Sequence, residues 1–524
     1  MALFKIQDAV FVSICLLVHL SYRYRRRSTL PLPPGPRRWP IIGHALSIPM
    51  THMSKAYKLM GEQLGTKIIH LEAFGQRIVV LNDIQMARDL MEKRSAIYSS
   101  RPHLNMLMDV VRINYLFSVM PYGEEWRNHR RLFQQYFAPK HIQREQERIL
   151  AFVRKGLLPS LYESPKDFMQ HIRTCVGGFA TAIGYGIPIQ RKNDPMVRLA
   201  VLAFEEALVE AATPGRFLVD IIPILRHVPV WFPGAGFKSQ AKEWRSVLLR
   251  ARDEPYRATI TAMVLQHNGN APVSFVSESL AHNSDRPDFK LQELHIKQTA
   301  TQLYAAASET TASAATTFIL AMLKFPEAQK RAQQEINVFI GRDRLPEFSD
   351  QPDLPYLSAV LKEVLRWNPP VPLGVPHRST EDDTYNGYFI PKGSVVMANA
   401  YAMLHDEDVF PDPSAFRPER FLKDGKIHSG VLDPEEDATF GFGRRVCPGA
   451  HIAISKLFLL AASILTLFDI LPDLDENGKP IDIVPEFQGS TITSGPLPFP
   501  CKITPRQGVD VEKLLKEYMG FDAI

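Results

Sequence analysis

Residues 440–449 read FGFGRRVCPG and form the most informative stretch of this chain. Gly443 can adopt a positive φ, so the loop can turn tightly ahead of Cys447. Pro448 suits the first position of a helix, and residues 450–465 carry the apolar pattern of that helix. A thiolate at Cys447 would lie at the helix N-terminus, where free N–H groups and the helix dipole lower the pKa of a thiol. The pattern favours a metal-binding thiolate over an inert buried cysteine.

A second motif, AAASETT at residues 305–311, lies in a segment predicted to form one long helix over residues 293–324. The small residues let this helix lie close to a cofactor or to another helix. Glu309 and Thr310 stand out, because an acid in an apolar segment is costly unless it is paired or used. The alternative is a threonine that bonds back to a helix carbonyl, beside a glutamate on a solvated face.

A third pattern pairs an acid with arginines. Glu363 and Arg366 lie at i and i+3 of one predicted helix, a spacing that usually gives a surface salt bridge of little worth. Further along, residues 416–421 read FRPERF and supply Arg420.

Together these motifs resemble those of cytochrome P450 monooxygenases, and the resemblance covers about residues 30–505. Within that family, the chain is similar to microsomal members from basidiomycete fungi that act in secondary metabolism. The resemblance implies a mainly α fold with small β-sheets, the cytochrome P450 fold, preceded by an N-terminal membrane-anchor helix. It also implies haem b as cofactor and Cys447 as the axial ligand of its iron, a ligand type that favours O–O cleavage.

The resemblance also gives roles to the other motif residues. Thr310 and Glu309 would take part in oxygen activation, with Glu309 relaying protons. The chain departs from the family at Ala307, where a glycine is usual, and the extra methyl would narrow the groove beside the iron. A buried ionic triad that locks the loop beneath the haem would consist of Glu363, Arg366 and Arg420.

Haem carries two propionates, so the resemblance implies cationic and polar donors around one edge of the cofactor. Trp126 and Arg130 lie at i and i+4 of a helix predicted over residues 123–138, on one face. For each charged donor the alternative is a solvated side chain. Arg378 could take the place of its neighbour His377 as a donor. The predicted propionate donors are Arg101, Trp126, Arg130, His377 and Arg445.

Composition narrows the class of protein. The 524 residues are 45% hydrophobic and 22% charged, which is ordinary for a globular chain. A net charge of +5, without a basic stripe interleaved with aromatic residues, gives no case for nucleic-acid binding. The four cysteines are far apart and contain no CxxC pair, so neither a zinc site nor a disulfide framework is indicated.

The N-terminus predicts an uncleaved membrane anchor. Residues 9–20 are almost entirely apolar, and four arginines follow within residues 23–27. Positive charge after the apolar run places the body on the cytosolic side of an endoplasmic reticulum membrane, as a single-pass protein. The alternative is a helix lying in the membrane interface, because the apolar run is short for a full span.

Local patterns predict the remaining elements. Residues 66–81 read as a hairpin that turns around Gly75-Gln76, and Asn82 is expected to cap a helix over residues 83–93. Residues 385–398 return to strand and turn. We expect four parts: a membrane anchor (1–22), a basic and Pro-rich hinge (23–40), a catalytic domain (41–510) and a C-terminal tail (511–524).

The predicted activity is insertion of one oxygen atom from O₂ into a small to medium apolar or aromatic fungal metabolite. Electrons would come from NADPH through a separate cytochrome P450 reductase, because the chain has no glycine-rich flavin or nicotinamide unit. The alternatives are a haem-thiolate isomerase, dehydratase or peroxygenase, and a non-catalytic membrane haem-binding protein. The substrate pocket is predicted from residues 103–120, 204–218, 304–307, 373–375 and 490–494.

Overall fold

The computed structural model describes residues 30–138, 141–213, 215–265, 273–489 and 492–524. The predicted membrane anchor, residues 1–22, lies outside these ranges. Within them, the helix Ala450–Leu467 is long and apolar enough to cross a membrane, yet 72% of it is buried inside the body. A helix that is apolar all round and buried in this way is typical of a protein core.

Helices make up most of the described chain, as predicted. The α-helices are α1 Met53–Leu64, α2 Ile84–Ala87, α3 Ser95–Tyr98, α4 Glu124–Tyr136, α5 Ile142–Ala151, α6 Leu158–Glu163, α7 Phe168–Tyr185, α8 Pro195–Ala200, α9 Val209–Ala212, α10 Leu218–Ile221, α11 Gly236–Leu265, α12 Phe275–Asn283, α13 Phe289–Lys324, α14 Pro326–Phe339, α15 Pro355–Trp367, α16 Ala400–Leu404, α17 Ala450–Leu467 and α18 Val511–Leu515. Wider π-helical turns occur at Arg88–Lys93, Met106–Val110, Phe152–Leu157, Val201–Leu208 and Pro434–Ala438. Short 3₁₀ turns occur at Ala45–Ser47, Pro165–Asp167, Pro223–His227, Phe348–Asp353, Pro418–Phe421 and Gly443–Arg445.

The strands form small sheets, also as predicted. They are β1 Ile68–Ala73, β2 Gln76–Leu81, β3 His377–Arg378, β4 Asp383–Tyr385, β5 Tyr388–Ile390, β6 Val395–Ala398, β7 Leu422–Lys423, β8 Lys426–Ile427, β9 Phe468–Leu471 and β10 Lys502–Pro505. The largest sheet has the order β1-β2-β6-β3, and its β2 and β6 strands are parallel. The pairs β4-β5, β7-β8 and β9-β10 are antiparallel ribbons.

Local expectations are confirmed in outline and corrected in detail. The hairpin over residues 66–81 is present, but its turn is Phe74-Gly75, where both residues have positive φ. Asn82 is not the helix cap: the Asp83 carboxylate accepts from the backbone N–H of Met86. Asn82 instead donates to the carbonyl of Tyr57 and ties the sheet to α1. A sequence window could not show this competing long-range partner.

The long helix α13 begins four residues earlier than predicted and ends where predicted, at Lys324. Its second half, residues 311–323, is buried among apolar side chains of the largest core cluster. It packs against α7, α4 and α17. Helix α17 and the loop before it therefore lie within reach of the small-residue segment of α13.

The chain termini of the described body are tied to it by backbone hydrogen bonds. In the Pro-rich segment, the carbonyl of Pro34 accepts from His70 and that of Pro31 accepts from Phe389. At the other end, the backbone groups of Ile524 and Ile189 bond to each other in both directions. These contacts hold residues 30–40 extended and place the last residues beside α7.

Candidate functional site

One internal cavity of about 310 Å³ brings the predicted motifs together. Cys447 lines it on one side, and Thr310, with the small residues Ala306 and Ala307 of α13, lines another. The remaining wall is mostly apolar. Of the predicted site residues, the cavity is lined by Arg101, Trp126, Arg130, Thr310, His377, Arg445 and Cys447.

The loop that carries Cys447 depends on one glycine. Gly443 has φ +54°, and a Cβ built on it would lie 2.3 Å from the carbonyl oxygen of Met91. No side chain fits there without moving the backbone at Met91. Helix α17 begins at Ala450, as the apolar pattern predicts, with Gly449 as its cap. Pro448, predicted as its first residue, instead precedes the cap.

The Cys447 side chain lines the cavity and is exposed toward it. The backbone N–H of Gly449 and the charge of Arg130 favour its thiolate form, as the sequence predicts. Burial outweighs both and raises the pKa of the Cys447 thiol. The lowering of this pKa that the helix terminus predicts is therefore wrong in direction for the side chain as the structure places it.

Three arginines at the cavity have no acidic partner. Arg101 donates to the carbonyls of Ser118 (2.9 Å), Val375 and Pro376 (2.9 Å), and Arg130 donates to that of Val446 (2.8 Å). Arg445 donates to the carbonyls of Ser99 (2.7 Å), Phe117 (3.1 Å) and Met120 (2.7 Å). In the described part of the chain, no carboxylate forms an ion pair with any of the three.

Burial without a counter-charge is costly for these cations. It lowers the pKa of Arg445 to about 9, and the nearby charge of Arg130 adds to the effect. Burial, together with the charge of Arg445, holds the pKa of Arg101 well below its ordinary value. An anionic group in the cavity would neutralise this charge, so the two propionates of a haem fit the site.

Trp126 and His377 complete this edge. Trp126 lies on α4, and its ring packs under the guanidinium of Arg445 at 4.5 Å. Strand β3 turns His377 inward, and its Nδ1 donates to the carbonyl of Tyr98 at 2.6 Å. Neutral His377 can only accept at Nε2, so it donates to a propionate only as imidazolium. Arg378 is exposed on the opposite face of β3 and does not line the cavity.

The acid–threonine pair of α13 is split between two environments. Thr310 lines the cavity while its hydroxyl donates to the carbonyl of Ala306 at 3.0 Å, so the helix back-bond proposed as the alternative is present. Glu309 does not line the cavity. It accepts a hydrogen bond from the hydroxyl of Thr493, which lines a smaller cavity of about 50 Å³. Glu309 is therefore bonded to a residue of the second cavity and not exposed to the first.

Burial raises the pKa of Glu309 to about 7, and the carboxylate of Glu205 adds to this effect. Between the ordinary value of 4.5 and about 7, the folded protein holds a proton that the unfolded chain releases. The free energy of unfolding should therefore fall as pH rises through this window. Glu309 is then close to half-protonated near neutral pH, as a proton relay requires.

Glu309→Gln removes this titration and keeps an oxygen for Thr493. We expect the variant to match the wild type near pH 5 and to exceed its unfolding free energy by roughly 2 kcal/mol near pH 8. Denaturant unfolding followed by tryptophan fluorescence across this pH range measures the difference. Parallel pH profiles for the two proteins would show that Glu309 titrates like an ordinary carboxylate.

The predicted ionic triad is present behind the Cys447 loop. Glu363 accepts from Arg366 at Nε (2.6 Å) and Nη2 (2.9 Å) and from Arg420 Nε at 3.2 Å. The backbone N–H of Arg417 also donates to it at 2.7 Å. The side chains of Glu363 and Arg366 are fully buried, so the surface alternative is wrong.

The pocket predicted from sequence is corrected in part. Phe117 and Ser118 from residues 103–120, Ala306 and Ala307 of α13, and residues 373–375 line the cavity. Residues 204–218 do not, because Phe204 packs on Tyr304 and Phe217 packs on Trp244. Residues 492–494 line the smaller cavity, and residues 490 and 491 lie outside the described chain.

Gln302 and Lys456 are among the cavity residues that the sequence did not predict. Gln302 accepts from the backbone N–H of Ser118 at 3.1 Å and joins α13 to the 103–120 loop. Lys456 on α17 is buried beneath the ring of Phe179 at 4.6 Å, and burial lowers its pKa to about 8. Lys456 is the only charged residue in the sequence of residues 452–465, and this was the available signal.

Comparisons with known proteins agree with this geometry. The family model for "Cytochrome P450" matches residues 33–498. Cytochrome P450 monooxygenase ple1 of Rhodocybe pseudopiperita is 45% identical, covering 95% of this chain and 94% of that protein. Cytochrome P450 monooxygenase 98 of Postia placenta is 41% identical over 94% of each chain. Tryptamine 4-monooxygenase of Psilocybe cyanescens is 38% identical, covering 97% of this chain and 98% of that protein.

Proposed function

The chain belongs to the cytochrome P450 family, and we propose that it oxidises a small to medium, uncharged apolar or aromatic fungal metabolite with electrons from NADPH. It is a haem monooxygenase, an oxidoreductase that binds haem b through a cysteine thiolate. The observation that carries the proposal is that Cys447 and Thr310 line the same, mostly apolar cavity. The proposed reaction is hydroxylation, or a related oxidation, of a secondary metabolite whose apolar surface suits this lining.

The charge of the cavity narrows the substrate class. In the described part of the chain, no carboxylate lines the cavity. Glu205, which could have faced an amine, pairs with Arg173 at 3.7 Å outside it, and Glu210 pairs with Arg216. A relative is named for tryptamine, a cationic amine, but this cavity offers a cation no counter-charge. We therefore propose a neutral substrate.

Haem, when bound, supplies the one-electron and oxygen chemistry, and the protein supplies ligand, orientation and protons. Cys447 would hold the iron, and the arginines would hold the propionates. Glu309 would keep a proton at its carboxyl group near neutral pH. The Thr310 hydroxyl oxygen, whose proton is donated to the carbonyl of Ala306, would accept a hydrogen bond from a group in the cavity. The apolar wall would exclude water from the reacting carbon.

Co-expression with a fungal cytochrome P450 reductase tests the proposal. Untargeted metabolite profiles should contain a product with one added oxygen atom that is absent from cells carrying Cys447→Ala. Thr310→Ala should lower its yield. A product formed without reductase or peroxide would indicate an isomerase or dehydratase, and one driven by peroxide alone a peroxygenase. No oxygen-dependent product, even with reductase and the native pathway's metabolites, would favour a haem-binding protein without catalysis.

We propose the reductase as partner on the basis of an exposed basic face. Arg127 and Arg444 both lie over the ring of Tyr122, at 5.8 and 5.1 Å, and Arg131 is exposed nearby. Lys140, a further basic residue close to α4 in the sequence, lies outside the described residues. An acidic flavin domain would be attracted here. Arg127→Glu should raise the KM for reductase several-fold at low salt, whereas Arg257→Glu on α11 should not.

We also propose attachment to the endoplasmic reticulum membrane through residues 1–22, with the body in the cytosol. The support is the sequence alone, an apolar run followed by four arginines. Cell fractionation should find the full chain with microsomes and a chain lacking residues 1–22 largely released. Equal partitioning of the two would refute the anchor.

A further inference from the structure

Two histidines and a glutamate converge between α4 and α13, away from the cavity. Glu125 and His129 lie one turn apart on α4, and His295 lies on α13. Glu125 Oε1 is 3.0 Å from His295 Nε2 and 3.8 Å from His129 Nε2. One potential ligand atom from each of the three residues falls within 4.8 Å of the others.

The hydrogen bonds of His129 fix which of its nitrogens carries the proton. The Thr299 hydroxyl donates to the carbonyl of His295 at 2.7 Å. Its oxygen therefore accepts from His129 Nδ1 at 2.8 Å. The proton of neutral His129 is on Nδ1, and its Nε2 presents a lone pair toward Glu125.

That lone pair has no donor. His129 is fully buried, and its Nε2 has no hydrogen-bond partner in the described part of the chain. A lone pair aimed at a carboxylate gains nothing from it, since both groups are acceptors. A cation between the two acceptors would satisfy both.

We propose that Glu125, His129 and His295 bind a Zn²⁺ ion that joins α4 to α13. Two imidazoles and one carboxylate are a ligand set that zinc accepts. Ligand atoms about 2 Å from a tetrahedral ion lie about 3.3 Å apart, and the observed 3.0 and 3.8 Å bracket that value.

The surroundings match those of a metal site. Thr299 holds the second nitrogen of His129, as outer-shell partners hold ligating histidines. The ring of Phe117 lies nearly parallel to that of His129, at 10° and 6.1 Å between centroids. The Glu125 side chain is 54% exposed, so the ion can enter from solvent and keep a water as its fourth ligand.

The site would stabilise the helix that holds the haem edge. Trp126 and Arg130 directly follow two of the ligands on α4, and both line the cavity. A metal that binds only the folded protein raises its thermal midpoint. Zinc should therefore stabilise the haem-loaded protein without acting on the substrate.

Equilibrium dialysis of the haem-loaded full chain against zinc chloride, after chelator treatment, tests the site. Metal analysis should find about one zinc per chain in addition to the haem iron, and zinc should raise the thermal midpoint. Glu125→Gln should weaken zinc binding at least tenfold, and Thr299→Val roughly tenfold. Glu124→Gln removes a neighbouring exposed acid of the same helix and should bind zinc like the wild type.

Three outcomes would overturn the site. The first is that the wild type binds no stoichiometric zinc, and the second is that Glu125→Gln binds zinc as tightly as the wild type. The third is that Glu124→Gln loses as much zinc affinity as Glu125→Gln, which would indicate adsorption to surface acids only. Glu125 and Glu124 are exposed, so neither variant should unfold the protein, and the haem absorption spectrum verifies that each remains loaded.

Discussion

Cys447→Ala should abolish oxygen- and NADPH-dependent product formation while leaving the protein folded. Cys447 contributes little to the apolar core, because its side chain faces the cavity. Its loss removes the anionic ligand that a haem thiolate protein uses to cleave the O–O bond. The three unneutralised arginines remain, so the variant should still take up some haem through its propionates.

The spectrum of the ferrous–CO complex measures this directly. The wild type should show the Soret position of thiolate-ligated haem, and Cys447→Ala should show that of haem without a thiolate. Cys501→Ala is the matched control, since Cys501 is also a free cysteine but is buried in the core away from the cavity. A thiolate-type spectrum in Cys447→Ala would show that Cys447 is not the iron ligand. Loss of that spectrum in Cys501→Ala would show the same.

The motif residues could be predicted because their spacing is local. The WRNHR, FRPERF and FGFGRRVCPG stretches each fix several side chains over a few residues, and the family resemblance then relates stretches that are distant in the chain. The structure brings all the predicted propionate donors to one cavity. It also places Glu309 outside that cavity, which the adjacency of Glu309 and Thr310 in sequence does not indicate.

What sequence could not supply is competition between distant groups. The pKa of the Cys447 thiol was predicted from its helix terminus, but burial by other elements decides its direction. Residues 204–218 contain apolar side chains that suit a substrate wall. The rings of Phe204 and Phe217, however, pack against Tyr304 and Trp244 and do not face the cavity.

The proposed zinc site shows the same limit. Its histidines lie on two helices far apart in the chain, and no spacing rule joins them. The cysteine pattern, which does follow such rules, indicated no zinc site. Only the packing of α4 against α13 brings the two imidazoles to one carboxylate.

Glu363→Gln should destabilise the protein by several kcal/mol, on the order of 3–5. Glutamine has nearly the same shape, so the change removes charge rather than volume. Arg366, fully buried, would then keep only neutral partners such as the carbonyls of Leu404 (3.1 Å) and Ala415 (3.2 Å). Arg420 and the backbone of Arg417 would also lose a charged acceptor, and the segment before the Cys447 loop would loosen.

Glu327→Gln is the matched control, because Glu327 and Lys330 form an ion pair with the same i, i+3 spacing at 2.9 Å. Their side chains are 84% and 63% exposed, so water replaces the lost partner and the change should cost less than about 1 kcal/mol. Denaturant unfolding of both haem-loaded variants, with haem content measured in parallel, separates the two cases. The same spacing should thus give a large loss of unfolding free energy where the ion pair is buried and almost no loss where the pair is exposed. Equal losses would mean that burial does not set the strength of the Glu363 cluster.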